Sequence, residues 1–152
     1  MTGITLVEGA LVDTRQLRTS VLGWQKLTVP PDSHRRAKHV LALTTSGVVV
    51  ACGSCGPSTF PDPSFGDEAA MRFWGVAVLA PFQGHGLGSR ILSELMAHGE
   101  RLEADIAWAN ARESALPFYL ARGFEVVGDP FTDTLSGLSD SRILKRLDGR
   151  ST

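Results

Sequence analysis

Alternating apolar and polar positions between residues 68 and 79 form the clearest pattern in the chain and predict a β-strand. With a period of two, the even-numbered positions share one face of this strand, Arg72 and Trp74 among them, and the odd-numbered positions share the other. Gly75 interrupts the run, and a glycine inside a strand often marks a bulge or the close approach of another group. We therefore predict a central strand with a local irregularity at Gly75.

Shorter apolar runs predict six further strands, at residues 4–9, 39–45, 48–55, 106–109, 124–128 and 141–147. Helical patterns predict one helix from Asp13, as its N-cap, to about residue 23, a second from Ser89 to about residue 102, and a third beginning near Ser114. Pro117 would lie in the first turn of the third helix, where proline is tolerated, and Gly123 would end that helix. The order of these elements predicts a mixed α/β fold built on one sheet.

Length and composition restrict the protein to a small globular class. A chain of 152 residues with 43% hydrophobic and 20% charged residues is expected to form one domain over residues 1–152. A formal net charge of −1 provides no electrostatic surface for nucleic acid or for an anionic membrane. No apolar run approaches the roughly 20 residues of a membrane span, and the amino terminus lacks the pattern of a signal peptide. We expect a soluble, cytoplasmic protein whose partners are neither nucleic acid nor membrane.

The segment at residues 76–88 combines the end of the central strand, a glycine-rich turn and the start of a helix. Three glycines, Gly84, Gly86 and Gly88, lie within five residues. The backbone N–H groups of such a turn, the helix dipole and the missing Cβ atoms together favour a bound phosphate. The turn by itself fits a tight connection between strand and helix equally well.

Two cysteines, Cys52 and Cys55, have the Cys-x-x-Cys spacing of thioredoxin-like redox motifs. Here the pair follows an apolar strand, and the Pro- and Gly-rich segment after it does not begin a helix that would lower a thiol pKa. A zinc site would need further ligands at matching spacing, and the sequence lacks a second such pair. Two reduced thiols without a role in chemistry are the favoured interpretation, and a dithiol redox protein is the alternative.

Two motifs together resemble those of the GNAT superfamily of acyl-CoA N-acyltransferases. The first, from Gln83 to Gly88, reads Gln-Gly-His-Gly-Leu-Gly and matches the family's acetyl-CoA signature, Arg or Gln-x-x-Gly-x-Gly or Ala. The second, from Asn110 to Phe124, is similar to Asn-Ala-Arg-x-x-Ala-x-x-Phe-Tyr-x-x-x-Gly-Phe around the family's fourth helix. Their separation and the order of elements extend the resemblance over about residues 40–147. It implies a mixed, mostly antiparallel sheet that is flanked by helices and splayed between its fourth and fifth strands.

The resemblance also implies a site for acetyl-CoA as acyl donor, without a metal. The backbone of the fourth strand would bind the pantetheine arm like an added strand, and amides of the glycine-rich turn would hold the pyrophosphate. Asn110 would face the pantetheine where the strands splay, and the helix around residues 115–119 would lie along the other side. The residues assigned to the donor are Val76, Ala77, Val78, Gln83, Gly84, His85, Gly86, Leu87, Gly88, Ser89, Asn110, Ala115, Phe118 and Tyr119.

For catalysis, the resemblance implies direct attack of a neutral amine on the thioester, which requires proton transfers and a stabilised oxyanion. Tyr119, the only tyrosine in the chain, matches the tyrosine that lies near the thioester sulfur in many members and would protonate the departing thiolate as general acid. A backbone N–H near Val78 would polarise the carbonyl. Arg72 stands where some relatives carry a glutamate base, so Arg72 and Trp74 would instead shape the acceptor site.

The general base has only weak candidates in the sequence. Glu68 shares a strand face with Arg72 but lies about 13 Å from it at strand spacing. His39 begins a strand that could run beside the cleft. A surface or structural role is the favoured interpretation for both Glu68 and His39, and His85 in the glycine-rich turn is expected to face solvent.

We therefore predict an N-acetyltransferase that transfers acetyl from acetyl-CoA to a primary amine of a small molecule or a peptide. The alternative is an acyl-CoA-binding sensor or regulatory module without transfer, because the central strand lacks the expected carboxylate. The loops at residues 56–67 and 130–139 would select the acceptor, the first as a wall of the substrate cleft. A homodimer is left open.

Overall fold

The computed structural model describes residues 3–66 and 68–147 and contains one eight-stranded sheet. Its strands are β1 (Thr5–Gly9), β2 (Lys38–Leu43), β3 (Val49–Pro57), β4 (Ala70–Val78), β5 (Ile106–Arg112), β6 (Glu125–Val126), β7 (Phe131–Thr132) and β8 (Ser139–Arg146). Their order across the sheet is β1-β2-β3-β4-β5-β8-β6, and β7 also pairs with β8. Every pair is antiparallel except β4 with β5. The predicted mixed, mostly antiparallel sheet is confirmed.

Helices cover both faces of this sheet. They are α1 (Arg15–Ser20), α2 (Leu87–Arg101) and α3 (Leu116–Leu120). The buried face of α2, with Ile91 and Leu95, packs in the main core with Phe73 of β4. On the other face, Leu17 of α1 packs against Leu41 of β2. Within residues 3–66 and 68–147, no helix is long and apolar enough to cross a membrane.

The first helix is shorter than predicted, and Asp13 is not its N-cap. A 3₁₀ turn at Leu11–Thr14 precedes α1, and Asp13 is the third residue of that turn. Its carboxylate accepts the backbone N–H of Ala10 at 3.1 Å. Ala10 has the extended backbone of a capping residue, so Asp13 stabilises the turn from inside by reaching back to its first N–H group.

Strand β5 is longer than the predicted strand at residues 106–109. It continues through Asn110 to Arg112 because β8 pairs with it in register, from Ile106 opposite Arg146 to Arg112 opposite Asp140. The apolar pattern ends before Asn110, so only the neighbouring strand reveals the extension. The predicted irregular segment 130–139 likewise contains β7, which forms a short hairpin with β8.

The third helix begins two residues after the predicted start near Ser114, and it ends at Gly123 as predicted. A 3₁₀ turn at Glu113–Ala115 leads into α3, and Pro117 lies in its first turn. At the other end, Gly123 has φ +91° and donates its N–H to Leu120 O at 3.2 Å. The N–H of Phe124 reaches Tyr119 O at 3.2 Å, which completes the paired hydrogen bonds of a Schellman end with glycine in the left-handed position.

Strands β4 and β5 separate soon after they begin. They pair over three positions, of which Arg72 opposite Trp108 is the last. On the other side of β4, the register with β3 shifts between Cys52 and Ser54, opposite Gly75, which has φ +66°. The predicted irregularity at Gly75 is therefore a β-bulge, and it lies in the part of β4 that no longer pairs with β5.

Candidate active site

An open cavity of about 650 Å³ lies where β4 and β5 separate. The residues assigned to the donor that line it are Val76, Ala77, Val78, Gln83, Gly84, Gly86, Leu87, Gly88, Ser89, Asn110, Ala115, Phe118 and Tyr119. Arg72 and Trp74 line it as well. Glu68, His39 and His85 are not among its lining residues, and His85 is exposed, as expected. The fold thus brings together all but one of the predicted donor residues.

One wall of the cavity is the unpaired edge of β4. Leu79 donates its N–H to Val50 O of β3 at 2.8 Å, so the alternation of a strand directs the N–H and C=O of Val78 to the other side. The side-chain amide of Gln83 donates to Val78 O at 2.9 Å from that side. By the same alternation, Val76 presents its backbone groups to the cavity and Ala77 presents its groups to β3. The open edge therefore offers peptide groups at Val76 and Val78 to an extended ligand.

The glycine-rich turn forms the end wall of the cavity. Gly84 and Gly86 have φ +80° and +83°, and a Cβ atom on either would meet nothing within 4 Å. Gly86 is the N-cap of α2, and its lack of a side chain leaves the first N–H groups of the helix without a cap. These groups and the helix dipole favour an anion in front of the turn. The empty space above both glycines fits a phosphate group.

Arg122 adds a cation that the sequence analysis did not select. Its guanidinium donates to Ser89 Oγ in the first turn of α2, from Nε at 2.9 Å and Nη2 at 2.5 Å. It also lies 3.8 Å from the ring centroid of Phe118 and donates to Phe118 O at 2.8 Å. Arg122 occupies a variable position of the second motif, so its link to the glycine-rich turn depends on how α3 packs beside α2.

Asn110 lies on the opposite wall, on the part of β5 that β4 has left. Its Oδ1 atom is buried and has no hydrogen-bond partner among the described residues. A buried acceptor without a donor costs roughly 1–3 kcal/mol, so its presence in a cavity wall is consistent with a ligand N–H group. This observation fits the amide groups of a pantetheine arm between β4 and β5.

Tyr119 lies in the floor of the cavity and is 7% exposed. Its ring contacts Phe73, Phe118 and Phe124 with centroid distances of 5.7, 5.0 and 5.7 Å. Burial raises the pKa of its hydroxyl well above the usual range, so the group stays protonated at neutral pH. Tyr119 can therefore donate a hydrogen bond. Because a raised pKa makes it a weaker acid, it can pass on a proton only where it takes one up in exchange.

The two base candidates from the sequence lie elsewhere. Glu68 forms an ion pair with Arg146 at 2.5 Å in which both side chains are partly exposed. His39 is buried on β2, with Nδ1 2.7 Å from Ser54 Oγ, and burial lowers its pKa. Arg18 also donates to Ser54 Oγ, at 3.1 Å, so His39 belongs to a buried polar network. Neither Glu68 nor His39 lines the cavity.

The residues expected to shape the acceptor site have different surroundings. Trp74 is buried, and its indole N–H donates to Asp32 Oδ1 at 2.8 Å. Arg72 lies over the Trp108 ring, with Cζ 5.0 Å from the ring centroid. Its Nε atom is buried without a partner among the described residues, and burial lowers the pKa of its guanidinium. Trp74 is thus held in place by its hydrogen bond to Asp32, whereas the Nε–H group of Arg72 has no acceptor among the described residues.

The two loops expected to select the acceptor differ in position. Residues 58–66 do not appear in the cavity wall, which corrects the expectation for that loop. Phe60 anchors the loop by packing edge-on against Trp108, with 5.6 Å between ring centroids. The turn between β7 and β8 does reach the cavity through Asp133 and Leu135.

Two carboxylates that the sequence analysis missed line the same cavity. Asp140, at the start of β8, is 7% exposed. Burial raises its pKa to about 6, the charge of Asp133 adds to this effect, and the charge of Arg112 opposes it. Sequence alone offers no signal for Asp140, because its burial and its neighbours arise from the pairing of β8 with β5 and β7.

The cysteine pair does not form a redox centre in this fold. Cys52 packs in the cluster with Leu17 of α1, and Cys55 packs in the main core, so the two thiols point to opposite faces of β3. Both are free and fully buried, and burial raises the pKa of each to about 12. Across residues 3–66 and 68–147, no group of three or more His, Cys, Asp or Glu side chains is arranged to hold a metal ion.

Comparison with known proteins identifies one family. Residues 11–124 match the Acetyltransferase (GNAT) family. No curated protein matches the chain by sequence.

Solved structures share the fold at low identity. A GNAT family acetyltransferase from Elizabethkingia anophelis with acetyl-CoA bound has 14% identity and a TM-score of 0.70, covering 97% of this chain and 100% of that one. An acyl-CoA N-acyltransferase from Pseudomonas aeruginosa has 17% identity and a TM-score of 0.71, covering 93% and 99%. FeeM, an N-acyl amino acid synthase from uncultured soil microbes, has 8% identity and a TM-score of 0.77, covering 95% and 90%.

Proposed function

The chain belongs to the GNAT acetyltransferase family, and from this membership we propose that it transfers an acetyl group from acetyl-CoA to a primary amine of a small molecule or a peptide. The observation that carries the proposal is the cleft between β4 and β5, which has an open strand edge on one side and a glycine-rich helix start at its end. These two features suit the two chemically different parts of the donor, an amide-containing arm and a pyrophosphate.

The pantetheine arm would bind along β4. Its amides would bond the C=O of Val76 and the backbone groups of Val78, and Asn110 Oδ1 would accept from the opposite wall. Gln83 would release Val78 O, to which it now donates. The pyrophosphate would bind the N–H groups from Gly84 to Ser89, with Arg122 beside them. This assignment gives a ligand partner to the open edge of β4 and to the buried acceptor of Asn110.

The thioester would then lie between the bulge of β4 and Tyr119. The N–H of Val76, which lies next to the bulge and is left free by the pantetheine amides, would polarise the carbonyl, and the amine would attack the carbonyl carbon directly. Tyr119 would donate to the departing sulfur, because burial keeps its hydroxyl protonated. Arg72 and Trp74 would bound the acceptor side.

Release of the CoA thiol tests the proposal and separates it from an acyl-CoA sensor. Purified protein with acetyl-CoA is expected to release thiol steadily when a suitable primary amine is added, and the acetylated amine should appear in equal amount by mass spectrometry. The panel consists of n-butylamine, 2-phenylethylamine, spermidine, the common amino acids, their amides and short peptides.

Tight acetyl-CoA binding without thiol release across the whole panel would favour the sensor. A protein heated to inactivation controls for spontaneous aminolysis.

A further inference from the structure

The acceptor side of the cavity contains a buried carboxylate without a partner. Asp140 lines the cavity and is 7% exposed, and neither a hydrogen bond nor an ion pair from the described residues reaches its carboxylate. Its oxygens are open to the cavity, and an ionised carboxylate in a side chain that is otherwise removed from water is stabilised by a cation beside it. Such a group in a substrate cleft is suited to a cationic ligand.

The side chain opposite Asp140, Arg112, makes its hydrogen bond to another residue. Arg112 is its register partner across β5 and β8, which would allow a direct ion pair. Instead, Arg112 donates through Nη2 to the backbone carbonyl of Leu22, in the segment after α1. The charge of Arg112 still acts on Asp140 at a distance, but the carboxylate oxygens stay free to face the cavity.

A second carboxylate lies close to the first. Phe131 of β7 is opposite Asp140, and Asp133 lies just beyond β7 in the turn that leads to β8, where it lines the same cavity. Asp133 Oδ2 accepts from the N–H and the hydroxyl of Ser136, both at 2.9 Å, which holds the turn in place. Two carboxylates, one fixed in a turn and one free in a strand, thus converge on one part of the cavity.

We infer that Asp140 binds the ammonium group of the acceptor and accepts one proton from it, with Asp133 adding negative charge beside it. The inference rests on the proposed acetyl transfer and supplies the base that the central strand lacks, since β4 presents Arg72 at that level. It also restricts the acceptor to amines that arrive as cations.

The proton and electron balance is complete with these groups. The ammonium R–NH3+ loses one proton to Asp140, and the nitrogen lone pair forms the C–N bond while the carbonyl π pair moves to oxygen. Collapse reforms C=O and breaks the C–S bond. The second nitrogen proton goes to the departing thiolate, through Tyr119. The products are R–NH–CO–CH3 and CoA thiol, and Asp140 returns one proton to solvent.

The charged groups around Asp140 set the pH at which it can act. Asp133 raises the pKa of Asp140, and Arg112 of β5 lowers it, while Arg142 of β8 and Arg72 of β4 face the same region. With burial as the largest effect, the pKa is about 6. The carboxylate is therefore ionised at neutral pH. It is a weaker base than an alkylamine of pKa near 10, so it holds the proton only while the amine attacks.

The substitution Asp140→Asn tests the inference because it keeps the shape and removes the base. At pH 7, only about one part in 10³ of an alkylamine is neutral. We therefore expect kcat/KM for the best amine of the panel to fall by up to about 10³-fold. Wild-type kcat/KM should decline below pH about 6. In the variant this acidic limb of the pH profile, the decline of kcat/KM below pH about 6, should disappear. The kcat/KM of the variant should instead rise with pH toward the amine pKa near 10.

Asp129→Asn provides the matched control, since Asp129 is an exposed aspartate in the preceding loop that does not line the cavity. It should keep the wild-type pH profile, and both variants should bind acetyl-CoA as the wild type does. A variant Asp140→Asn with kcat/KM within about threefold of wild type, or with the same limb near pH 6, would overturn the inference.

Failure of the proposed function would look different. If the wild type binds acetyl-CoA but acetylates nothing in the panel, acetyl transfer fails. Calorimetry of the same amines with the CoA-bound protein then decides the ammonium site. Binding that weakens at least tenfold in Asp140→Asn would support it, and equal binding or none would overturn it.

Discussion

The proposed catalytic role of Tyr119 depends on its hydroxyl group alone. Its ring is held on three sides by Phe73, Phe118 and Phe124, so removal of the hydroxyl should leave the packing intact. We expect Tyr119→Phe to lower kcat by about 10²-fold, because the thiolate loses its proton donor.

Two measurements separate this effect from a packing defect. The Kd for acetyl-CoA should stay within about twofold of wild type, and the melting temperature should be unchanged. Steady-state kinetics in which kcat does not change would remove Tyr119 from the chemistry and leave it as a core aromatic.

At the scale of elements, the connection from β4 to α2 should serve the donor rather than the fold. A side chain at Gly86 would extend into space that is open in the structure, so Gly86→Val should obstruct the pyrophosphate directly. We expect the Kd for acetyl-CoA to rise at least about tenfold. Valine at a positive φ also costs about 1–2 kcal/mol in folding free energy.

Gly128→Val is the matched control for that strain. Gly128 has φ +81°, a Cβ atom placed on it would meet nothing within 4 Å, and it lies outside the cavity wall. It should lose similar stability in denaturant unfolding and keep the wild-type Kd. Equal Kd values for the two variants would refute the pyrophosphate assignment.

The bounds of a helix or strand could be predicted where residues of the element itself determine them. Pro117 and Gly123 set the bounds of α3 through backbone geometry that belongs to these residues themselves. The end of β5 was not predictable, because Asn110 has no strand preference and is extended only by its partner Arg142 on β8. The same pairing places Asn110 in the cavity wall, where its buried Oδ1 atom has no hydrogen-bond donor among the described residues.

At the scale of the whole molecule, one buried network connects the acceptor wall to the segment before β2. Asp32 accepts from Arg18 at 2.6 and 2.8 Å, from Val29 N–H at 2.8 Å and from Trp74 at 2.8 Å. The Arg18 and Asp32 side chains are 0% and 2% exposed. Burial alone would raise the pKa of Asp32, but the donated hydrogen bonds and the charge of Arg18 outweigh it and lower the pKa.

Asp32→Asn should therefore destabilise the protein by about 3–5 kcal/mol, because it leaves the charge of Arg18 buried and unpaired. The lowered pKa means that the stabilisation by Asp32 is present above its unfolded pKa near 4 and is lost as pH falls through the lower folded value. Urea unfolding at pH 7 measures the difference. Asp13→Asn, which changes an exposed turn, is the control. A difference below about 1 kcal/mol would show that the network contributes little.

The order of the elements, the glycine-rich turn, the second motif and the family could all be predicted from the sequence, because each depends on local pattern or on residues close together in the chain. The placement and protonation of the charged groups on the acceptor side of the cavity depend on the tertiary structure. Asp140 became a buried, unpaired carboxylate through its pairing with β5 and β7 and through the hydrogen bond that draws Arg112 to Leu22. His39 entered a buried network through Ser54. The protonation of a group depends on neighbours that are distant in sequence, so no pattern along the chain could reveal it.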